Sequence, residues 1–524
     1  MNKINYVFEK SKSGETVPVF RLPEGNTALH SMIDPKREAQ RLISGINNED
    51  FIVFLGLGGG FAPEAVLETR NARVLVIDFD KESIEQLFAG RSYAKITGSG
   101  RFSLLVDPDA ENIKNFLLEN FRPALYKTIK TIPLRTRIEK DKEKFDNAVS
   151  AIQEVIEIIT ADYSVQTHFG KRWFSNIIRN IKNIKTYNNM PQREIKEAAI
   201  AAAGPSLNNQ IKTLSELKSK GAFIICADTA LGALLHNGIK PDAVVSIDCQ
   251  HISYYHFIGC KIKNVPLILD IASPPLLADF SDFPVFFAGG HPLAKYFSAY
   301  IKALQPLDTS GGYVTYSCLC LAESLNAQCI TLFGADFSYI DCQTYARGTY
   351  LHSYFSQKQN RFSPLEAQMS AFLYRSPFLP CEDSVKQRYR ETSSLRFYRK
   401  NLEEKASLMK AAVVCAQGFG YPVKIIKNVE CRIENKELRN KNTECEISGG
   451  VEFLNNYKRD ITTLPEADEK VFYYDSLNEK QKNIFTTLLP YIAFLKKRNP
   501  ELKQNELIRN VIRNCADEIT RVLE

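Results

Sequence analysis

The residues best suited to chemistry stand where apolar runs stop. Ala198–Ala203 ends at Gly204-Pro205-Ser206, Phe223–Ala227 at Asp228-Thr229, and Ala243–Ile247 at Asp248. Ser206 stands where a helix N-cap belongs, and the free N–H groups of a helix start, with the macrodipole behind them, seat a phosphate. Further on, Asp308-Thr309-Ser310-Gly311-Gly312-Tyr313 repeats that arrangement ahead of a helical stretch, Val314–Leu325. The run Cys329–Phe333 then closes on Gly334-Ala335-Asp336-Phe337. Each feature alone is ordinary turn chemistry. Several successive strand ends carrying hydroxyls, carboxylates and flexible backbone point to one crevice that binds a phosphorylated ligand.

The elements that must position these groups follow from the spacing. Short apolar runs alternating with polar, helix-like segments predict strands buried on both faces, a parallel α/β sheet with ligands at its carboxyl ends. Pro266–Ile271 and Phe283–Ala288 supply two more strands. Nearer the amino terminus, Phe51–Phe88 reads as strand, glycine turn, helix and second strand, with Gly56-Leu57-Gly58-Gly59-Gly60 as the turn and Asp78 closing the second strand. In a dinucleotide-binding unit such an acid holds ribose hydroxyls. The plainer reading is a tight turn in an α/β domain without a cofactor. Phe102–Asp107 predicts a strand, Ala110–Asn120 a helix, and Ile138–Asn183 a long helical stretch carrying the single tryptophan, Trp173, which is expected to pack between domains.

Composition bounds the function. The chain has 524 residues, 44% of them apolar and 24% charged, enough for two to four cores. Its 67 basic and 60 acidic residues leave a net charge of +7 without long basic blocks, which argues against a nucleic-acid binder. The first residues are polar and no stretch approaches a membrane span. All 12 cysteines lie from Cys226 onward with no CxxC pair, so a reduced, cytoplasmic protein is expected.

The order GPSL, a strand ending in Asp, GIKPD with an apolar run and Asp, then TSGGY, helix, strand and GADF resembles the motility accessory factor family over about Ala198 to Leu351. Those bacterial proteins are implicated in moving nonulosonic acids, such as pseudaminic or legionaminic acid, onto flagellin serines and threonines. Their central domain is similar to that of small bacterial sialyltransferases. The resemblance implies a CMP-linked donor, flagellin as partner, and a nucleotide site made of Gly204, Pro205, Ser206, Asp228, Thr229, Asp248, Thr309, Ser310, Gly311 and Gly312. Asp336 would be structural or donor-facing. Asp228 stands where the sialyltransferases have an asparagine, which leaves the donor's identity open. The same GPSL and GIKPD pattern also resembles archaeal pterin pyrophosphokinases, where Asp228, Asp248 and Asp336 would hold magnesium. Those enzymes are short, and the long flanks here favour the first resemblance.

Sugar transfer needs a base for the acceptor hydroxyl and donors for the departing phosphate. The sialyltransferase resemblance implies a histidine base and phosphate-contacting tyrosines in a lid after the Asp336 strand. His352 is the candidate base there, in a flexible segment over the crevice, with Arg347, Tyr345 and Tyr350 as phosphate donors. His291 and His251 are rival bases. Ser394–Ala416 reads as an amphipathic helix, with a closing turn and short strand beyond it. Charged, helical sequence follows Asn428, as a packing scaffold or a module for binding flagellin or an export chaperone. The expected organisation is an α/β amino-terminal domain (1–187), a central Rossmann-like, sialyltransferase-like domain (188–427) and a helical carboxyl-terminal domain (428–524). A non-catalytic flagellin-binding export factor is the remaining alternative.

Overall fold

The computed structural model describes the chain apart from residues 1–4, 23–24, 49, 140, 184–185, 189–194, 303, 342, 381–388, 419, 421–422, 425–443, 447–448 and 468–471. It is a mixed α/β protein with a helical carboxyl-terminal region, as the sequence predicts. Two compact units form, one from Met1–Lys171 with Asp460–Ala516 and one from Arg172–Arg459 with Asp517–Glu524. This differs from three consecutive domains, because helices near the carboxyl terminus join the first unit. Residues 189–192 of the boundary expected at Asn188–Gln192, and residues 425–443, lie outside the described residues.

The first unit holds a four-stranded parallel sheet of β1 (Phe51–Leu55), β2 (Arg73–Asp78), β3 (Phe102–Val106) and β4 (Ile129–Pro133), in the order β3-β2-β1-β4. Helix α1 (Phe61–Thr69) follows the glycine turn, in which Gly56, Gly58 and Gly60 take φ values of 97°, 52° and 70°. That turn is filled from within. The Gly59 N–H donates to His30 Nε2 at 2.8 Å and the Tyr93 hydroxyl donates to the Gly58 carbonyl at 2.7 Å. A Cβ on Gly58 would sit 2.6 Å from both His30 and Leu134. Asp78 is fully buried, accepts from the Leu57 and Phe79 amides at 2.8 Å each, and pairs with the buried Arg137 guanidinium at 3.0 Å. Both carboxylate oxygens are thus engaged within the fold in this conformation.

Helix α2 (Lys142–Asn183) contributes residues to both units. The second unit is built on an eight-stranded, wholly parallel sheet. Its strands and helices alternate as β5 (Glu197–Ala201), α3 (Leu207–Ser219), β6 (Phe223–Ala227), α4 (Asp228–His236), β7 (Ala243–Ser246), α5 (Ile252–Phe257) and β8 (Leu267–Asp270). Then come β9 (Pro284–Ala288), α6 (Pro292–Ser298), β10 (Gln305–Pro306), α7 (Val314–Ser324), β11 (Cys329–Phe333), α8 (Tyr350–Lys358), α9 (Leu365–Leu373), α10 (Ser393–Leu408) and β12 (Ala412–Cys415). The spatial order is β10-β9-β8-β7-β6-β5-β11-β12. Ala198, Ile200, Ile225, Val245, Ile268 and Ile330 on the strands pack with Cys318, Leu319 and Ala322 of α7 and Leu402 and Ala406 of α10. Each fully buried Ile or Leu side chain there is worth about 1.5–3 kcal/mol.

The helix expected through Ala416 stops at Leu408. Ala412-Val413-Val414-Cys415 pairs in parallel with Cys329–Leu332 instead, since two adjacent valines gain more on a sheet edge than in a helix end.

The strand order reverses between β5 and β11, and one carboxylate joins the two strand ends there. Asp336, 6% exposed, accepts the Ser206 N–H at 2.9 Å and bonds to the Ser206 hydroxyl. The Gly204 N–H donates to the Gly334 carbonyl at 2.9 Å, an approach that a Cβ on Gly204 would block, 2.4 Å from both that carbonyl and Asp336 Oδ2. Gln210 spans the same point, accepting from the Gly334 N–H at 2.7 Å and donating to the Ala416 and Gln417 carbonyls. Asp336→Ala leaves the buried Ser206 N–H and hydroxyl unpaired and is expected to cost about 2–4 kcal/mol, against about 1 for Asp336→Asn, which can still accept. Denaturant unfolding of both variants checks this ordering.

Candidate functional site

The carboxyl ends of the parallel strands are where a ligand crevice belongs in such a sheet, and the predicted residues there fall into two classes. Those on the GPSL side are committed to the fold. Ser206 has helical backbone angles and makes no side-chain cap. The amides of Gly204, Ser206, Leu207, Asn208 and Asn209 all donate, to Gly334, Asp336, Gly204, Pro205 and Ser206. The expected phosphate seat at this helix start therefore has no spare donor, and Pro205 supplies none. Gly418 and Gly420 also come in against Ser206 and Asp336. Burial raises the Asp336 carboxyl above its usual range, and the bonds from Ser206 pull it back.

Asp228 opens α4 and is 2% exposed. Its Oδ2 accepts the Ser246 hydroxyl at 2.6 Å, while Oδ1 accepts the Thr229 N–H at 2.6 Å and the Thr229 hydroxyl at 3.0 Å. It thus ties the ends of β6 and β7. Asp248 accepts the Gln250 N–H at 2.9 Å, and burial raises its carboxyl, helped by the neighbouring Asp228 charge. Among the described residues no group of three or more acidic, histidine or cysteine side chains could hold a metal ion. Asp228, Asp248 and Asp336 do not fit as a magnesium triad, because Asp228 and Asp336 are turned to Ser246 and Ser206.

Open donors also lie at the second turn. Among the described residues the Val314, Thr315 and Tyr316 amides at the start of α7 donate to nothing. The turn before them is rigid. Asp308 accepts the Ser310 N–H and the Tyr316 hydroxyl at 2.9 Å each, and although burial opposes it, those bonds hold the Asp308 carboxyl below its usual range. Thr309 Oγ1 accepts the Gly290 N–H at 3.2 Å, the Gly312 N–H donates to the Thr309 carbonyl, and Gly311 lies under the Tyr316 ring. Helix α7 packs under β5, β6 and β7, so its start points to the strand ends carrying Asp228 and Asp248. Tyr313 meets Tyr398 of α10 at a tilt, 4.6 Å ring to ring, and Tyr398 is close enough to Asp248 to feel its charge.

The segment carrying His352 is tied down rather than loose. The Ala346 N–H donates to the Ala203 carbonyl and the Arg347 N–H to Asn208 Oδ1, both at 2.9 Å. Gly348 lies against Ala233 and His236 of α4, Thr349 caps α8 through the His352 N–H, and Tyr350 stacks on Tyr255 of α5 at 5.0 Å. Burial lowers the His352 pKa, and Arg347 and His236 lower it further, so the ring is neutral near pH 7 and able to accept a proton. Arg347 is exposed. Tyr345 packs by Phe372 of α9, and burial pushes its hydroxyl up to about 12. Of the rival bases, His291 is driven down to about 3 by burial and uses Nδ1 to accept the Leu293 N–H, whereas His251 is exposed at the start of α5.

Three residues that sequence reasoning missed complete the crevice. Asp270 ends β8 as Asp228 follows β6, and the same run-then-acid signal marks it. His256 lies between Asp248, which feels its charge, and Tyr350, 6.1 Å away ring to ring. Tyr398 comes from a helix whose pattern carries no such signal. Trp173 meets His291 edge-on at 5.2 Å, and along the same helix Asn176 and Asn180 donate to the carbonyls of Cys249, Ala272, Ile271 and Ser273, fixing the loops after β7 and β8.

Comparison with known proteins gives the fold a precedent. The structure of MAf glycosyltransferase from Magnetospirillum magneticum AMB-1 superposes over 100% of this chain and 91% of its own, with a TM-score of 0.58 at 12% identity. The two share a fold. A family model described as 6-hydroxymethylpterin diphosphokinase MptE-like matches residues 172–341, starting where the second unit starts. Both resemblances read in the sequence thus recur. Two proteins of Treponema pallidum (strain Nichols), each described as an uncharacterized protein, are 43% identical over 93 residues and 36% identical over 121. These matches cover 18% and 21% of this chain and 33% and 57% of the relatives, so the similarity spans between a third and somewhat over half of their length.

Burial also raises the Asp270 carboxyl, to about 7. The fold favours its protonated form, so that contribution to stability is full below the usual carboxylate range and is lost as pH rises through about 7. Asp270→Asn removes the penalty, and its stabilisation is expected to approach about 4 kcal/mol above neutrality. Thermal unfolding in mildly acidic and mildly alkaline buffer should show the gain growing with pH; an equal gain at both contradicts it.

Proposed function

We propose that this chain is a protein O-glycosyltransferase that moves a nonulosonic acid of the pseudaminic or legionaminic type from its CMP conjugate to serine or threonine hydroxyls of flagellin. The reading is supported chiefly by the second turn, where three unused amides at the start of α7 face the ends of the strands. The match to a glycosyltransferase along the whole chain supports it at the level of the fold. No described helix is long and apolar enough to cross a membrane, in keeping with a cytoplasmic enzyme that meets flagellin before export.

In this reading the α7 amides and the Thr309 and Ser310 hydroxyls take the phosphate that departs with CMP, stabilising its charge with donors already in place. The exposed Arg347 adds a positive charge that His352 feels. His352, neutral near pH 7, accepts the proton of the acceptor hydroxyl as the hydroxyl oxygen attacks the anomeric carbon. Asp228 and Asp336 act through the geometry of the strand ends rather than on the ligand.

The pterin diphosphokinase-like family model favours a second reading, pyrophosphate transfer from a nucleoside triphosphate to a pterin alcohol. That reaction calls on magnesium held by carboxylates and substrate phosphates. The engagement of Asp228 with Ser246 and of Asp336 with Ser206 weighs against it.

His352→Ala is expected to lower transfer about 10²–10⁴-fold while leaving CMP affinity within about twofold. Mass spectrometry of flagellin incubated with CMP-linked nonulosonic acid, with wild-type and variant enzyme, checks this. Wild-type turnover by the variant removes His352 from the mechanism. ATP consumption that requires both magnesium and a pterin, without sugar transfer, selects the second reading.

A further inference from the structure

The first unit carries a pocket of about 280 Å³ that the proposed function leaves unused. It lies at the strand starts of the four-stranded sheet, the end opposite the glycine turn. Arg73 opens β2, Asn120 ends the helix Ala110–Asn120 and Arg122 follows it, while Tyr474, Asp475 and Lys482 come from the carboxyl-terminal part of the same unit. The cations of this lining are only partly used. Arg73 Nη2 donates to Asn120 Oδ1 at 3.1 Å, and Nη1 reaches Asp475 Oδ1 at 3.5 Å, a long contact. Arg73 Nε is buried and, among the described residues, has no acceptor. Arg122 donates to the Glu119 carbonyl and, at 3.3 Å, to the Tyr474 hydroxyl, with its guanidinium 4.8 Å from the centre of the Tyr474 ring. Among the described residues it pairs with no carboxylate. Only Lys482 has a close acidic partner, Glu479 at 2.8 Å.

We infer that this pocket is a second binding site, taking the oxyanion group of a small molecule, a phosphate or a carboxylate, on Arg73 Nε and the Arg122 guanidinium. It stands apart from the proposed transfer and does not depend on it. An N–H kept from water without an acceptor is unfavourable, and a ligand oxygen removes that cost. Planar guanidinium groups suit both oxyanions, because each offers several N–H donors in a fixed fork. The two arginines face one place, since the buried Tyr126 hydroxyl feels the charges of both. Tyr126 in turn stacks on Phe472 at 4.7 Å, which fixes this wall of the pocket. The acids of the lining do not fill the seat. Asp475 meets Arg73 through Nη1 and leaves Nε over, while Glu119 and Glu479 are exposed to water. A space of about 280 Å³ admits a small metabolite rather than a folded partner.

Calorimetric titration of the full chain with inorganic phosphate, and separately with acetate, tests the site. Wild type should bind phosphate, acetate or both, and Arg122→Gln should weaken that binding about tenfold or more. Arg73→Lys, which keeps the charge but loses the Nε donor, should weaken it about threefold or more. Glu119→Gln takes a negative charge from the lining and should tighten binding about twofold, a gain that a damaged fold would not give. Arg347→Gln, in the second unit, should change affinity by less than about twofold. Circular dichroism verifies the fold of each variant. Stronger binding of phosphate than of acetate, or the reverse, names the group that the site takes, and either supports it. Affinity that Arg122→Gln and Arg73→Lys leave unchanged, or that only Arg347→Gln weakens, overturns the site. So does a wild type that binds neither anion.

Discussion

A single buried carboxylate fixes the centre of the second unit. Asp336 bonds to the amide and hydroxyl of Ser206, and so joins the ends of β5 and β11 where the strand order turns back on itself. A parallel sheet leaves polar backbone unpaired at its strand ends, and here that backbone is bonded within the fold. With Gly204 bonded to Gly334 and Gln210 spanning β11, α3 and the chain after β12, the GPSL corner is closed. The segment before α8 is then held to it through Ala346 and Arg347. A motif that reads as a phosphate loop here bonds to its own surroundings.

Among the described residues three strand–turn–helix junctions are of the nucleotide-binding kind, and their hydrogen bonds differ. His30, Tyr93, Leu134 and Arg137 fill the glycine turn after β1. The GPSL turn spends its amides on its own neighbours. The turn before α7 leaves the Val314, Thr315 and Tyr316 amides over, and it is braced from below, by Asp308 and Tyr316. Rigid support under unsatisfied amides is the arrangement that favours an anion without reorganisation.

Much of this was legible in the sequence. The strands of the central sheet follow from apolar runs flanked by turn residues, and β6 and β11 have the predicted limits. The rule that an acid closes an apolar run found Asp228, Asp248 and Asp336, and would have found Asp270 had it been applied to Leu267–Asp270. The sequence could not tell which of those acids turn inward, since that depends on Ser246 and Ser206 arriving from other strands. The edge strand Ala412–Cys415 was hidden because it continues a helical pattern without a breaker. The division of the chain into units was equally hidden, because Asp460–Ala516 joins the first unit through packing at long separation rather than through any local signal.

The central claim is that the anion seat of the crevice is the start of α7 and that the GPSL corner is structural. A crystal structure of the chain with CMP tests it most directly. The account predicts phosphate oxygens within hydrogen-bond distance of the Val314, Thr315 or Tyr316 amides, with the Asp336–Ser206 bond intact. Phosphate bound instead by the amides of Gly204–Leu207, with Asp336 released from Ser206, would contradict it.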